Sequence, residues 1–314
     1  MKIDSHAHIY PLRYLEELKK CNLVFPFSVT PKMYDPEERI RDMAIMGVDK
    51  QLLTLGPPGM DLEGADPKIT VLLSKIANDE IAGLVKKYPQ KFIGLANLPL
   101  QEPEAAVTEL ERGVKELDLK GGAIFSNVKG RALDNPEFLP LFAKAAELNI
   151  PLFIHPASPR FREGLSEYRL DIIIGFLFDS TLAVTRIIFS GILEKYPTVK
   201  LVLVHLGSTL PYILPRLDVE SSLMQKFLPN YRLDIQRPPS EYFIRSIYID
   251  TVSHHPPAYI CARDTCGIDK ILLGSDYPYS LWELTVKAIA DLPLPQEEKE
   301  MIYAGNLSRL LRLP

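Results

Sequence analysis

Residues 3–9 read IDSHAHI and stop just before Tyr10-Pro11. The stretch follows no helical period, so we predict a β-strand over Ile3–Ile9. Side chains two residues apart on a strand share a face, and His6 and His8 therefore point the same way. Two imidazoles on one face suit a metal ion, and two solvated histidines at the end of a strand are the alternative. The rest of the chain has to separate these interpretations.

This strand is the first of eight. Short apolar runs alternate with longer amphipathic segments, one of which begins as a helix at Asp35-Pro36-Glu37-Glu38 and ends at Gly47. Eight strand-then-helix units predict an α/β fold, a (β/α)8 TIM barrel in one domain over residues 1–314, with an open doubly wound sheet as the runner-up. No GxGxxG motif follows the first strand, which counts against a dinucleotide-binding sheet. The predicted strands are Ile3–Ile9, Val48–Leu55, Phe92–Leu98, Gly121–Phe125, Ile150–His155, Lys200–His205, Ser246–Asp250 and Lys270–Ser275.

Two long segments follow strands of this pattern. Tyr10–Tyr34 and Gly56–Lys68 are predicted to be loops on the barrel face where active sites are built.

The composition limits the classes of partner. The formal net charge is −4 and no Lys- or Arg-rich run is present, so we expect no nucleic-acid binding. The most apolar segment, Asp171–Leu193, is interrupted by Asp179 and Arg186, which predicts a buried helix and no membrane span. The N-terminal stretch is a polar strand with no apolar signal region, and the three cysteines match no CxxC spacing. We therefore expect a cytoplasmic, reduced protein.

All six histidines lie at or just beyond the C-terminal end of a predicted strand. They are His6, His8, His155, His205, His254 and His255. In a barrel those ends meet at one mouth. Strand eight neighbours strand one when a barrel closes, so Asp276, directly after the predicted eighth strand, would lie beside His6 and His8. Three imidazoles, one carboxylate and an open position predict a catalytic divalent site at this mouth, made of Asp276 and three of the histidines His6, His8, His155 and His205.

The pair His254-His255 is ambiguous. Adjacent residues on an extended backbone face opposite ways, so at most one of them would face the mouth. Substrate contact and a solvated loop pair both remain open.

With these residues in place, the chain resembles the amidohydrolase superfamily, and more narrowly its metal-dependent decarboxylases of the aminocarboxymuconate-semialdehyde type. The resemblance runs from Ile3 to the last predicted helix, and its most specific stretches are Arg39–Asp49, Arg237–Tyr242, Leu272–Pro278 and Ala304–Leu311. It implies one divalent ion per chain on His6, His8, His155 and Asp276, usually zinc, with manganese or iron as alternatives.

The resemblance also implies roles outside the ligand set. His205 would be the acid/base beside a metal-bound water, with Asp276 completing the catalytic group. Arg39 would hold a substrate carboxylate, and Arg216 would reach the site of a neighbouring subunit, which implies a homodimer. The residues alone offer an alternative to each role: Arg39 would be a solvated helix residue, and Arg216 would form a surface ion pair with Asp218.

The implied reaction is the non-oxidative decarboxylation of an unsaturated or aromatic carboxylic acid. A hydrolase of an amide, ester or lactone is the alternative, because both reactions can start from water activated by a metal. A metal-binding barrel without catalysis is a third reading. The family places tryptophans where this chain has Ala157 and near Tyr168, so the pocket wall differs. Resorcylate-type decarboxylases tend to carry Glu at the position of His6, which favours the aminocarboxymuconate-like branch.

Overall fold

The computed structural model describes residues 1–59, 62, 65–161, 163–228 and 230–313. Strands and helices alternate along the chain, as the eightfold rhythm predicts. The strands are β1 (Ile3–His8), β2 (Lys50–Thr54), β3 (Phe92–Gly94), β4 (Ala96–Asn97), β5 (Gly122–Phe125), β6 (Asn127–Val128), β7 (Arg131–Ala132), β8 (Pro151–His155), β9 (Lys200–Leu203) and β10 (Ile247–Ile249).

Helices follow most of these strands. The α-helices are α1 (Leu12–Lys20), α2 (Pro31–Tyr34), α3 (Pro36–Met46), α4 (Pro67–Lys87), α5 (Pro103–Lys115), α6 (Leu139–Leu148), α7 (Phe176–Phe189), α8 (Ile192–Lys195), α9 (Leu210–Phe227), α10 (Pro239–Ser246), α11 (Pro256–Cys266), α12 (Trp282–Asp291), α13 (Gln296–Glu300) and α14 (Asn306–Leu311). Short 3-10 turns span Pro136–Phe138 and Ile268–Lys270, and π-helical turns span Asp171–Gly175 and Met301–Gly305.

The parallel strands form two sheets that follow one another around the molecule. One sheet has the order β1-β2-β3 and the other has the order β10-β9-β8-β5-β4. The chain crosses between them at Leu95, because β3 pairs with β2 whereas β4 pairs with β5. The eight parallel segments thus follow the order expected of the predicted barrel, although their hydrogen-bond ladder is not continuous.

At the other edge, residues 271–277 lie between β10 and β1. The amide of Leu272 donates to the carbonyl of Ile249 at 2.8 Å, and the amide of Ser5 donates to the carbonyl of Leu273 at 2.7 Å. The predicted eighth strand, Lys270–Ser275, is therefore a segment held by isolated bridges and not a regular strand. It still occupies the place between strands seven and one that the sequence pattern requires.

The strands are covered on both faces, which explains their continuous apolar runs. Leu201, Val202 and Leu203 of β9 are each 0% exposed. Helix α3 confirms the local prediction at both ends. The side chain of Asp35 accepts a hydrogen bond from the amide of Glu37 at 2.9 Å, and Gly47 ends the helix in the left-handed conformation with φ of 67°.

One of the two predicted loops differs from expectation. The segment Tyr10–Tyr34 contains helices α1 and α2, whose short amphipathic pattern the sequence prediction did not separate from loop. The segment Gly56–Lys68 lies partly outside the described residues. The single-domain organisation stays a prediction.

One helix, Asp171–Phe189, is long and apolar enough by length and composition to cross a membrane, and 44% of its most apolar window is buried inside the protein. The core helix of a globular protein meets the same criterion. Ile173 and Phe178 are exposed, so the predicted burial applies to one face only. Asp179 lies on the buried face, where it accepts hydrogen bonds from the side chain of Asn127 and the amide of Arg160.

Candidate active site

Four side chains that are distant in sequence meet at one end of the strands. Each of His6, His8, His155 and Asp276 offers one ligand atom, and these four atoms lie within 4.8 Å of one another. The two Nε2 atoms of His6 and His8 are 3.0 Å apart. Asp276 Oδ1 lies 3.4 Å from His6 Nε2 and 3.1 Å from His8 Nε2. The predicted ligand set therefore forms a single cluster.

Backbone geometry brings each of these side chains to the cluster. His8 ends β1 and His155 ends β8, so both lie at C-terminal strand ends as predicted. Asp276 adopts the left-handed conformation with φ of 58°, and its amide donates to the carbonyl of His6 at 2.8 Å. A left-handed aspartate is uncommon and costs conformational energy, and such residues concentrate at functional sites.

The Nδ1 atoms of two histidines already form hydrogen bonds. His6 Nδ1 lies 2.6 Å from Asp250 Oδ2, and His155 Nδ1 lies 2.8 Å from the carbonyl of Pro156. A carbonyl and a carboxylate accept hydrogen bonds, so both Nδ1 atoms carry the proton and both Nε2 atoms present a lone pair to the cluster. Metal-binding histidines are commonly oriented in this manner. The donor set accordingly fits a divalent ion.

The protonation states of His8, His155 and Asp276 agree with this fit. His6 is the exception, because burial is outweighed by the carboxylates of Asp276 and Asp250, which raise its pKa. Burial lowers the pKa of His8 to about 4, and burial together with the neighbouring imidazoles holds the pKa of His155 well below its usual value. Both rings are therefore neutral near pH 7, as ligands must be. Burial opposes ionisation of Asp276, but the surrounding imidazoles outweigh it and keep the pKa of this carboxyl well below its usual range. A carboxylate is thus available to a cation.

His205 stands beside the cluster but outside the ligand group. Its Nε2 lies 3.8 Å from Asp276 Oδ2, and its ring centroid lies 5.2 Å from that of His155. The residue is left-handed, with φ of 57°, as are Leu206 and Ser208, so the chain turns away from β9 directly at the histidine. The structure thus brings His205 beside the four ligands and outside their group, and its role as acid/base stays a prediction.

Asp250 is a functional candidate that the sequence prediction does not include. It is 0% exposed, and its Oδ1 accepts hydrogen bonds from the amides of Leu206 at 2.9 Å and Val252 at 3.0 Å. Burial would raise its pKa, but His6 and His205 outweigh burial and lower it. The signal was present in the sequence, because Asp250 closes its predicted strand just as the histidines close theirs.

A layer of buried polar side chains connects the segments that carry the ligands. Asp4 accepts hydrogen bonds from the amide of His6, from the amide and hydroxyl of Ser275, and from the side chain of Gln51. The carboxylate therefore joins the first strand to the segment that carries Asp276. Burial raises the pKa of Asp4 despite these hydrogen bonds.

Arg39 belongs to this layer. It is 0% exposed, and its guanidinium donates to the carbonyls of His8 and Lys32 and to the side chain of Gln51 at 3.1 Å. It also lies over the ring of Tyr277, 4.6 Å from the centroid. The expectation that Arg39 is a solvated helix residue is therefore wrong. The structure does not bring Arg39 to the mouth, because these acceptors hold it inside, and its contact with a substrate stays a prediction.

Arg216 and the histidine pair lie at the surface. Arg216 is 72% exposed on α9, where Nη1 lies 3.4 Å from Glu220 Oε1. The expectation that Arg216 pairs with Asp218 is therefore wrong. Asp218 instead accepts a hydrogen bond from the backbone amide of Ser240. His254 and His255 are both exposed, which corresponds to the solvated alternative.

A cleft of about 930 Å3 lies next to the cluster. Phe125 and Phe176 line it, and their ring centroids lie 6.0 Å and 6.2 Å from that of His155. Ala157, at the position of a family tryptophan, also lines the cleft, whereas Tyr168 is 82% exposed. The arrangement can hold a flat organic molecule beside a metal ion and a histidine.

Parallel strands with a histidine and aspartate group at their C-terminal ends are typical of metal-dependent barrel enzymes. The chain belongs to the amidohydrolase family, because the family model described as Amidohydrolase matches residues 3–313. It is 29% identical to 2-amino-3-carboxymuconate-6-semialdehyde decarboxylase of Dictyostelium discoideum, over 100% of this chain and 92% of that protein. It is also 29% identical to γ-resorcylate decarboxylase of a Polaromonas species, over 88% of this chain and 87% of that protein.

Solved structures give the same picture. The 5-carboxyvanillate decarboxylase of Sphingomonas paucimobilis superposes with a TM-score of 0.90 at 27% identity, over 100% of this chain and 99% of that one. The dihydroxybenzoic acid decarboxylase of a Polaromonas species, solved with bound manganese and the inhibitor 2-nitroresorcinol, has a TM-score of 0.87 at 27% identity, over 99% and 97%. These likenesses confirm the predicted fold class, and they relate the chain to metal-dependent, non-oxidative decarboxylases.

Proposed function

We propose that this chain is a metal-dependent, non-oxidative decarboxylase of an aromatic or unsaturated carboxylic acid. The observation that carries the proposal is the position of His205, whose Nε2 lies 3.8 Å from Asp276 Oδ2 beside the four-residue ligand cluster. The end-to-end likeness to several decarboxylases supports it.

The proposed ligands of the metal are His6, His8, His155 and Asp276. Three imidazoles and a carboxylate suit zinc, and manganese or iron are compatible with the same donors. Manganese has additional support, because it is the ion in the related dihydroxybenzoic acid decarboxylase. When bound, such an ion acts as a Lewis acid and lowers the pKa of water toward about 7.

The chain's own residues would then bind the substrate and move a proton. The aromatic rings of Phe125 and Phe176 face the cleft beside His155 and fit a flat conjugated acid. His205 would deliver a proton from Nε2 to the carbon that carries the carboxyl group, and a π electron pair of the conjugated acid would form the new C–H bond. The bond to the carboxyl carbon then breaks, carbon dioxide leaves, and the electron pair of that bond restores the conjugation. The carboxyl group is thus replaced by hydrogen, and no oxidant is consumed.

The second candidate is a hydrolase of an amide, ester or lactone. The family description as amidohydrolase favours it, and a histidine beside a metal site serves hydrolysis equally well. The two reactions differ in their products, because only decarboxylation releases carbon dioxide.

The deciding experiment is a substrate panel with the purified, manganese- or zinc-loaded protein. It contains dihydroxybenzoates, 5-carboxyvanillate, a carboxymuconate semialdehyde, lactones and amides, and it follows carbon dioxide and acid release in parallel. We expect carbon dioxide from at least one carboxylic acid, abolished in His205→Ala and retained in His254→Ala, which changes an exposed histidine. Acid release from a lactone or amide, with no carbon dioxide from any acid, would establish the hydrolase instead.

The assembly proposed for this enzyme is a homodimer, and its proposed location is the cytoplasm. The homodimer is supported by Arg216, which is 72% exposed on α9, the helix that follows the His205 turn. An exposed guanidinium on this helix can enter the mouth of a second subunit if a twofold axis brings the two surfaces together. Exposed apolar side chains further along α9, including Val219 and Phe227, would be covered by the same contact.

A further inference from the structure

The cleft beside the metal cluster reaches well beyond the reacting end of a small acid. On one side Phe125 and Phe176 join it to His155. On the other side Phe27 joins it to His8, because the ring centroid of Phe27 lies 5.4 Å from that of Tyr279, which lies 6.0 Å from His8. A cleft of about 930 Å3 has room for a benzene-sized acid with further substituents.

The charged residues that line this cleft in the described part of the chain are mostly cations. Among the described residues its lining contains Lys129, Arg160 and Arg169 and one carboxylate, Asp171. Arg169 lies with Nε 3.3 Å from Asp171 Oδ1, so this cation is already paired. The whole chain carries a net charge of −4, and a surplus of positive charge in one cleft therefore departs from its average.

Lys129 and Arg160 supply that surplus. In the part of the chain that the structure describes, neither side chain forms an ion pair. Lys129 Nζ donates to the carbonyl of Ala65 at 3.3 Å, which is an uncharged acceptor. Arg160 also borders a separate depression, but the carboxylate there, Asp134, is paired with Arg186 at 2.8 Å.

The loops that carry both cations are fixed by one buried carboxylate. Asp179 is 3% exposed, and its two oxygens accept the amide of Arg160 at 3.1 Å and the side-chain NH2 of Asn127 at 2.8 Å. Asn127 in turn accepts the amide of Gly130 at 2.8 Å, which closes the hairpin turn that presents Lys129. The two cations therefore lie on segments that are held together by hydrogen bonds to Asp179. This arrangement preorganises them for a common ligand.

We propose that Lys129 and Arg160 bind a second anionic group of the substrate, so that the preferred substrate is a conjugated dicarboxylic acid. The inference rests on the proposed decarboxylase function. One carboxylate goes to the metal cluster and is lost, and the other remains on the product beside the two cations. A carboxylate matches the forked donors of an arginine and the point charge of a lysine.

The experiment compares a dicarboxylic substrate, 5-carboxyvanillate, with a monocarboxylic one, 2,6-dihydroxybenzoate. For Lys129→Gln and Arg160→Gln we expect KM for the dicarboxylic acid to rise about tenfold, the loss typical of one charge-assisted hydrogen bond. KM for the monocarboxylic acid should stay within about twofold, because that acid has no second charge to lose.

One variant is a matched control. Arg131→Gln removes a cation from the same hairpin, where Nη1 is paired with Glu137 Oε2 at 2.7 Å and lies outside the cleft. It should leave the ratio of the two KM values unchanged. Equal effects of Lys129→Gln and Arg160→Gln on both acids, or no effect on either acid, would overturn the proposal.

A binding measurement separates this proposal from the proposed function. If neither acid releases carbon dioxide, calorimetric titration of the metal-loaded protein with isophthalate and with benzoate tests the cation pair alone. Tighter binding of isophthalate that is lost in both variants would uphold the second anion site while the decarboxylase proposal fails. Equal affinity for isophthalate and benzoate, unchanged in the variants, would reject the site.

Discussion

Asp250 Oδ2 lies 2.6 Å from His6 Nδ1, and both side chains are buried. The other oxygen of the same carboxylate accepts the amide of Leu206 at 2.9 Å, next to His205. One carboxylate therefore orients a proposed metal ligand and also fixes the turn that carries the proposed acid/base. A change at Asp250 is expected to disturb both functions together.

The first prediction concerns this double role. Asp250→Asn replaces one acceptor oxygen by an NH2 group, which cannot accept from both the His6 ring and the two backbone amides. We expect metal affinity to fall about 10–100-fold, as for other residues that orient metal-binding histidines, together with a loss of kcat. Competition with a fluorescent chelator measures the affinity. Asp269→Asn, at a half-exposed aspartate paired with Lys270, is the control, and equal affinities of the two variants would argue against the role of Asp250.

The second prediction concerns the metal itself. The wild-type protein should contain about one equivalent of a divalent ion per chain, because the cluster offers four converging donors. His155→Ala removes one donor and should leave well below one equivalent after dialysis. His254→Ala changes an exposed histidine and should retain the full content. Elemental analysis of the three proteins checks this, and full metal content in His155→Ala would remove His155 from the ligand set.

The third prediction separates the acid/base from the ligands. His205 lies outside the group of four donors, so His205→Gln should keep its metal while kcat falls about 10²-fold or more, a typical contribution of general acid/base catalysis. Metal content and kcat are measured on the same sample. Loss of the metal together with activity would make His205 a ligand.

The strand-end residues could be predicted from sequence for a simple reason. A polar residue that closes a buried apolar run must lie at the end of its strand, and parallel strands end on a common face. His155 and Asp276 follow this rule, and the structure brings them together. The same rule applies to Asp250, which a search centred on histidines leaves out.

The placement of Arg39 could not be predicted in this way. An arginine in an amphipathic helix is usually solvated, and nothing local to α3 indicates otherwise. Its burial depends on acceptors from β1 and β2, including the carbonyl of His8 and the side chain of Gln51. Such contacts arise only when distant segments of the chain pack together.

The fourth prediction tests whether Arg39 positions the metal site. Arg39→Gln leaves the carbonyl of His8 without its guanidinium donor, so we expect about tenfold weaker metal binding, comparable to the loss of other groups that support ligands. A substrate contact would instead raise KM and leave metal affinity unchanged. Arg41→Gln, on the same helix but 63% exposed, is the matched control. Chelator competition and KM are measured for both variants, and unchanged metal affinity in Arg39→Gln would favour the substrate role.

The last prediction concerns the homodimer with exchanged arginines. If Arg216 enters the partner's mouth, His205→Ala and Arg216→Ala should each be inactive alone. A mixed dimer of the two contains one complete site, because the chain with Arg216→Ala keeps its own histidine and receives the arginine of the other chain. After full subunit exchange, about half of the dimers are mixed and about a quarter of the sites are intact, so about a quarter of wild-type activity should return.

The control for this complementation is a mixture of His205→Ala with His155→Ala. Both residues lie in the site of one chain, so neither site of that mixed dimer is complete and no activity should return. Subunit exchange is verified with two differently tagged chains. If exchange is complete and the first mixture remains inactive, Arg216 does not act across the interface. Its 72% exposed side chain would then serve only its contact with Glu220 on α9.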